Sequence, residues 1–420
     1  MKLVETMRCD VAVVGAGAAG IAAAVAAAKA GAEVVLIERH GFTGGLATTA
    51  MVGTICGLFY RNPAGARYAV QGFAREFAEA VQAKSQSKII QFSEGLHFLP
   101  YLPEAFHQVA VQQLKQAGVR LLLRGHVTGV QVAARKITGL SIQTQSQILT
   151  IHPAAVVDCS GTAQLSMLAG VTRIQEERYQ AGAFVFQVSG LPELAPETLG
   201  LALMRSLKRG IQTGGLDSTC ERLSIVPGSL EQGRALFKLG MPVPFDGSIA
   251  CLTQYELDAR ERSANIVNYL NRNEPLLANL NISAMATEVG VRTGERSQGI
   301  DILDENHVMA CAKPDDGVAI GTWPMEFWGT CRKPEIRYFA MDDSYWITAG
   351  MLVSRYLDNL FFSGRGLSAT EAAMASARVI GTCLGTGYAA GSLAARFSST
   401  GEWTTTIKII RNRQIFADEG

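Results

Sequence analysis

Arg292 and Arg296, in the stretch EVGVRTGERSQG, stand four residues apart. On a helix they would share a face, and in a loop they could clamp a carboxylate between two guanidinium groups. The competing arrangement is an internal ion pair with Glu288 or Glu295. Glu371 opens a run of small residues, EAAMASARVIG, where a carboxylate can either reach a reacting centre or cap a helix. Cys56, in VGTICGLF, could do redox chemistry only with a partner thiol, and no neighbouring cysteine supplies one. Tyr60 and Arg61 follow closely enough to reach the same space. His97, in SEGLHFLPYLPEAF, is expected on a loop, as a proton donor or as a structural histidine. His107, on an amphipathic stretch, and His126 are expected to be structural. Groups of these kinds bind anions and move protons. The eight cysteines (Cys9, Cys56, Cys159, Cys220, Cys251, Cys311, Cys331 and Cys383) are scattered, with no CxxC pair and no histidine cluster, so no metal centre is expected.

The elements that must position these groups begin with DVAVVGAGAAGIAAAVAAAKAGAEVVLIER. Everything from Val11 to Ala28 is apolar or glycine, eighteen residues, the lower limit for a membrane span. The run is mostly Ala and Gly with no leucine block, and its glycines have a spacing of their own. CDVAVV reads as a buried parallel strand, GAGAAG as a turn, the Ala-rich stretch as a helix, and AEVVLIE as a second strand. In such a unit Gly15 permits the tight turn, Gly17 lets a pyrophosphate approach the backbone, and Gly20 lets helix and sheet pack closely. The first helical turn, with Ala18 and Ala19, offers unpaired N–H groups to phosphate. Glu38 closes the second strand eighteen residues after Gly20, placed to accept hydrogen bonds from a ribose. The run is therefore read as a dinucleotide cradle. Arg39 would suit a 2'-phosphate, but Glu38 would repel one.

After Glu38 the chain reads RHGFTGGLATTAMVGTICG. The pair Gly44–Gly45, followed by Leu46 and Ala47, resembles the second phosphate and ribityl contact of FAD-dependent oxidoreductases. The blocks VVGAGAAG, IERHGFTGG, LPEAFHQVAVQQLKQAGV, VVDCSGTA, VRTGERSQGI and GRGLSATEAAMASARVIGTCLGTGYAAG extend the likeness along the chain. Together they resemble the broad family of FAD-dependent oxidoreductases related in fold to the flavoprotein subunits of fumarate reductase and succinate dehydrogenase. That resemblance implies FAD as cofactor. It puts the backbone of Val127 against the adenine edge, and lets the chain pass the dinucleotide closely at Ser160 and Gly161. It also brings Gly364, Arg365, Thr370, Ala372 and Ala373 to the flavin, with a long helix starting around Thr370 to offset negative charge there. Arg378 is assigned to cofactor and packing. Where similar sequences read His then Glu after SAT, this chain has Glu371 and Ala372, and Gly381 replaces a usual proline. GGLATTAMVG contains no histidine, and His40 sits at the adenosine end, so the flavin is expected to be held without a covalent link.

A flavin carries the electrons, leaving the protein to hold a substrate over it, exchange a proton and offset charge. Arg292, Cys56 and Glu371 are the candidates for that work. The chain has 420 residues with 38 basic against 37 acidic side chains and no basic run, which argues against nucleic acid or an anionic membrane surface. A small-molecule substrate is the default partner. No second GxGxxG follows a strand, so electrons are expected to pass by the substrate channel, by oxygen, or by an electron-donor or electron-acceptor protein. The scattered thiols suit a reducing cytoplasm.

The expected architecture is α/β: a Rossmann-like FAD-binding domain, with a parallel sheet plus β-meander, and an inserted α+β substrate or cap domain. The first part of the FAD domain covers residues 1–175, with a helical excursion at 61–104, and the second part covers 335–400. The cap takes 176–334, and a tail at 401–420 docks on the body or on another subunit. The expected activity is hydride transfer between FAD and a small polar, carboxylated metabolite. A flavin monooxygenase or reductase using NAD(P)H, and a flavin-binding electron-transfer protein acting through a partner, are the alternatives.

Overall fold

The computed structural model of the chain describes residues 4–329 and 333–416. Cys331 and the end of the 401–420 tail lie outside the described residues. The apolar run at the start is split between strand Val4–Val14 and helix Ala18–Lys29. Among the described residues no helix is long and apolar enough to cross a membrane.

Strand Val4–Val14 lies at the centre of a seven-stranded sheet. On one side it pairs in parallel with Val34–Glu38, which pairs with Arg120–Leu123. On the other it pairs in parallel with Ile148–Asp158. That long strand divides the sheet. Its first half, Ile148–Ile151, pairs antiparallel with Lys136–Gln143, whose other neighbour is His126–Ala133; its last residues, Val156–Asp158, pair in parallel with Leu360–Phe362. The central strands are apolar on both faces because both faces are covered. Val11, Val13, Leu36 and Val157 join the helices in the larger core, while Ala12, Val35, Ile37 and Val156 join the meander. The carboxyl ends of the five parallel strands carry the turns at Gly15, Glu38, Asp158–Gly161 and Gly364, the edge at which α/β sheets bind ligands.

Helix Ile380–Thr400 crosses helix Ala18–Lys29 at backbone contact. A Cβ on Gly387 would lie 2.1 Å from the Ala19 carbonyl oxygen, and one on Gly391 would lie 2.0 Å from that of Ala23. Only glycine on one helix facing alanine on the other permits this approach. The long helix expected to begin around Thr370 is in fact two, Glu371–Ala377 and Ile380–Thr400. Val379 between them is extended, with φ −70° and ψ 154°. The break turns the second helix so that the Gly381 N–H donates to the Cys56 carbonyl at 2.9 Å. A side chain on Gly381 would strike that same carbonyl at 2.7 Å.

Between these parts lies an antiparallel sheet ordered Leu223–Ile225, Arg234–Gly240, Ala183–Ser189, Asn281–Met285. Phe184, Phe186, Phe237 and Leu239 point to one face, where helices Pro196–Gln212 and Ile249–Asn273 cover them in a second core. The alternate residues Val185 and Leu236 point the other way and meet Val226 and Met51. Residues Leu303, Val308, Val318 and Met325 pack with the first core. Segment 61–104 holds one helix, Gly72–Ser85, followed by the short strands Ile90–Gln91 and His97–Pro100. His97 is therefore in a strand and not in a loop. It is buried against Phe59, and burial pushes its pKa down.

Alanine in place of a helix-interior glycine normally stabilises by about 0.5–1 kcal/mol. Gly387→Ala and Gly391→Ala are expected to do the opposite, costing about 1–3 kcal/mol through overpacking. Gly200→Ala, in helix Pro196–Gln212 with no atom within 4 Å of the new methyl group, is expected to stabilise. Urea unfolding of the three variants checks the sign.

Candidate active site and cofactor cradle

The turn after the first strand is built as a cradle. Gly15 has φ +96°, and a Cβ there would lie 2.5 Å from the Cys159 carbonyl oxygen. A Cβ on Gly20 would lie 1.7 Å from the Gly15 carbonyl oxygen. Gly17 begins the helix, and no side chain caps it, so the first-turn N–H groups of Ala18, Ala19 and Gly20 face outward bare. The Gly44–Gly45 loop folds back over them: the Gly44 N–H donates to the Ala16 carbonyl at 2.8 Å, and a Cβ on Gly45 would come 2.9 Å from Gly17 Cα. His107 holds that loop from below, its Nδ1 accepting from the Thr43 N–H at 3.3 Å. The buried carboxylate of Glu38 accepts from the N–H groups of Ala16 at 2.7 Å and His40 at 2.9 Å. A bare helix N-terminus walled by glycines with a carboxylate at the next strand end fits a dinucleotide pyrophosphate and its ribose.

At the other end, Ile380 begins a helix of 21 residues that also lacks a side-chain cap. Thr382 Oγ1 in its first turn is buried without a hydrogen-bond partner and lies 3.1 Å from the position a Cβ would take on Gly57. Such an end favours negative charge on a bound ring.

Beside it the fold gathers three cations around one carboxylate. Arg378, in the break between the last two long elements, donates to the carbonyl of Glu326 at 3.1 Å and lies 3.8 Å from its carboxylate. Arg292 donates from Nε to the Ala181 carbonyl at 2.9 Å, and its guanidinium lies 4.3 Å from the Trp328 ring centroid. The Lys238 amine lies 4.8 Å from the same centroid. Lys238 follows Leu236 on the face of the strand that looks away from the second core, towards the Gly53–Cys56 segment. Gln180 Oε1 accepts from the Trp328 N–H at 3.2 Å and from Arg378 at 3.4 Å. Four donors in this group are buried with no acceptor among the described residues: Arg292 Nη2, Arg378 Nε, Gln180 Nε2 and Trp328 Nε1. Burial, followed by the charge of Arg378, pushes Arg292 below the usual guanidinium range, and burial does the same to Arg378. A donor left unpaired in the interior costs about 1–3 kcal/mol, and four of them lie together here.

Residues 10–414 match the model of the family described as FAD dependent oxidoreductase. The chain belongs to that family. FAD is its cofactor, and it is an oxidoreductase. No curated protein matches the chain. Two solved structures share its fold, each at TM-score 0.50 and 13% identity. One is a geranylgeranyl bacteriochlorophyll reductase-like protein from Thermoplasma acidophilum, covering 98% of this chain and 85% of the other. The second is the anhydrotetracycline hydroxylase OxyS from Streptomyces rimosus, covering 97% of this chain and 68% of the other.

The remaining candidate residues of this FAD dependent oxidoreductase fall into distinct surroundings. Arg39 is exposed and reaches Glu288 at 3.5 Å. Leu46 and Ala47 open a short helix, and Tyr101 donates to the Ala47 carbonyl at 2.9 Å. The Val127 carbonyl accepts from Gln164 Nε2 at 2.8 Å. Ser160 Oγ accepts from the Gln164 N–H at 3.2 Å, within a turn pinned by the buried carboxylate of Asp158, which accepts from the N–H groups of Ser160 and Leu165. Gly161, at φ +78°, is covered by the guanidinium of Arg365, whose Nη1 donates to the Val291 carbonyl at 2.6 Å. Gly364, at φ +63°, packs on Ala19. Thr370 caps its own seven-residue helix, accepting from the Ala373 N–H at 3.2 Å, with Ala372 alongside.

Glu371 therefore does not cap that helix. Its carboxylate accepts from Thr293 Oγ1 at 2.5 Å, Arg296 Nη1 at 2.7 Å and the Gln180 N–H at 3.3 Å. Arg296 is fully buried and also pairs with Glu176 at 3.0 Å, whereas Glu288 and Glu295 go to Arg39 and Arg173. The Cys56 thiol is pushed up to about 12 by burial and then by Glu326, so it stays protonated. Tyr60 stacks under Arg67 at 3.9 Å, and Arg61 over Tyr338 at 4.8 Å; Arg67 pairs with Asp342 and Arg61 donates to the Phe339 carbonyl. Lys238, Gln180, Glu326 and Trp328 were not picked out by sequence reasoning. The available signal was a single lysine in the apolar strand RALFKLG and a single glutamate among the aromatic residues of TWPMEFW.

Gly17 has φ −74°, and the nearest atom to a Cβ there is Gly45 Cα at 3.9 Å. Gly17→Ala is thus expected to leave apoprotein stability within about 0.5 kcal/mol, since its site is unstrained. The methyl group would stand where the pyrophosphate approaches, so FAD affinity is expected to fall at least roughly tenfold. Apoprotein denaturation and FAD titration by fluorescence quenching separate the two effects.

Proposed function

We propose that this flavoenzyme holds FAD without a covalent link and transfers a hydride between it and a small polar metabolite bearing a carboxylate. The metabolite sits against Arg292, Arg378 and Lys238. One observation supports this above the rest: four buried donors, on the neighbouring side chains of Arg292, Arg378, Gln180 and Trp328, have no acceptor among the described residues, beside a charge balance of three cations to one carboxylate. A carboxylate supplies both the missing acceptors and the missing negative charge. When bound, FAD supplies a two-electron acceptor or donor.

The chain's own side chains divide the remaining work. Arg292 and Arg378 hold the substrate anion. Glu371 positions Gln180 and neutralises Arg296, and so acts through them. Cys56 is a wall of the site in its protonated form. Residues 1–175 and 335–400 belong to the FAD domain, and 176–334 carry the cap that brings Lys238 and Arg292 to the body, while Leu303, Val308, Val318 and Met325 at the end of that range pack with the body's own core. The likeness to a reductase-like protein and to a hydroxylase extends to fold alone and leaves the reaction to the site.

Arg292→Gln is expected to raise KM for the oxidisable carboxylate about 10²-fold, the loss of one charge-assisted pair of roughly 2–3 kcal/mol. Bound FAD per chain should be unchanged. Anaerobic bleaching of the flavin band by graded substrate, with FAD content measured on the same samples, tests this; an unaltered KM removes the carboxylate reading.

A further inference from the structure

Lys238 differs from the other two cations of the cluster. Arg292 and Arg378 each donate to a backbone carbonyl, whereas no described residue forms a hydrogen bond or ion pair with the Lys238 amine. Its closest partner is the Trp328 ring. The charged and titratable groups facing it come from four other segments: Arg292, Glu326, Cys56 and Arg378. Burial first, and then Arg292, pushes the amine down to about 8, against 10.5 for a free lysine. A half-buried amine with no hydrogen-bond partner among the described residues, beside two arginines that can hold a carboxylate, has the reach and the basicity of a proton acceptor.

We propose that Lys238 exchanges the proton of the reaction, and that the substrate is a 2-hydroxy acid with the corresponding 2-oxo acid as its product. This rests on the carboxylate reading of the same site. The charge of the cluster selects the hydroxyl. A 2-amino acid would bring an ammonium into a site where three cations already face one carboxylate, and Glu326 is engaged by Trp323 Nε1 at 3.2 Å and by Arg378. A hydroxyl adds no charge. In the oxidising direction the C2–H bond would break with its hydrogen and both electrons leaving together as hydride, for which the FAD of this family would be the acceptor. The O–H bond breaks, its proton goes to the neutral Lys238 amine, and the C2–O bond becomes a carbonyl. The reverse reaction takes the proton back from the ammonium.

The test uses the FAD-loaded protein with acetate, glycolate and glycine as probes, read by the flavin difference spectrum. Calorimetry at about pH 9, in two buffers of different protonation enthalpy, counts protons taken up on binding. Negative charge arriving beside the amine raises its pKa, so wild type is expected to take up a fraction of a proton per acetate bound at this pH, and the amine that stays neutral is the form that accepts the hydroxyl proton. Lys238→Met and Lys238→Arg should still bind acetate within about tenfold of wild type, but take up none. Glycine should bind at least about tenfold more weakly than glycolate. Reduction of the flavin by a 2-hydroxy acid should slow by about 10²–10⁴-fold in both variants. Proton uptake that persists in both variants, or glycine binding as tightly as glycolate, overturns the proposal while leaving the carboxylate site standing. If none of the three probes binds to wild type, the carboxylate reading fails and this inference fails with it.

Discussion

Ala19 and Ala23 of the first helix are touched by backbone from the far end of the chain, where Gly387 and Gly391 present no side chain. Much of the site's geometry depends on that contact. It fixes where helix Ile380–Thr400 begins, and hence where Gly381 meets Cys56 and where the uncapped helix N-terminus opens beside Thr382. It also seats Gly364 on Ala19, so the glycine turn at the start of the chain and the uncapped helix end near its close are joined in one packing. A single methyl group at either glycine would separate the two helices, and both ends of the cofactor site would move together.

The two arginines that stand four apart in the sequence end in opposite electrostatic situations. Arg296 has no exposed surface and meets two carboxylates, Glu371 and Glu176, so its charge is neutralised inside the fold. Arg292 meets a carbonyl, an aromatic ring and two further cations, and shares the single carboxylate of Glu326 with them. A buried charge without a counter-charge is costly, by several kcal/mol in real proteins. The fold bears that cost beside Arg378, two residues before the helix that starts at Ile380. An arrangement of this kind is stable as a folding device only in the first case, and it is the second that reads as a binding site.

Glu371 illustrates how a candidate changes meaning without changing place. The sequence puts a carboxylate at the head of a helix, where it can cap or react. Thr370 takes the cap itself, and the carboxylate turns back across the chain to Thr293, Arg296 and Gln180. Its influence on the site passes through Gln180, whose backbone it holds and whose amide lies against Trp328 and Arg378. Cys56 likewise stands where the sequence placed it, close to the last long helix, but burial and Glu326 keep it a thiol.

The strand, turn and helix around Gly15, Gly17 and Gly20, the carboxylate of Glu38 and the Gly44–Gly45 pair were legible because each depends on local backbone geometry at fixed spacing. The family and its cofactor follow from those residues. Helix boundaries near Arg378 were not legible, since the break there is set by the contact with Cys56–Gly57 rather than by a proline or a cap. Nor was the cluster of charges, because Lys238, Arg292, Glu326 and Arg378 come from four separate stretches of chain. Alternation within RALFKLG says that Lys238 and Leu236 share a face. Only the packing of that face against the Met51–Cys56 segment decides that the face looks inward, towards the site, and not out to water. The sequence by itself determined the cradle, because short-range sterics suffice to specify it; the tertiary structure decided which charges stay unpaired, because that depends on what the rest of the chain brings within a few ångströms.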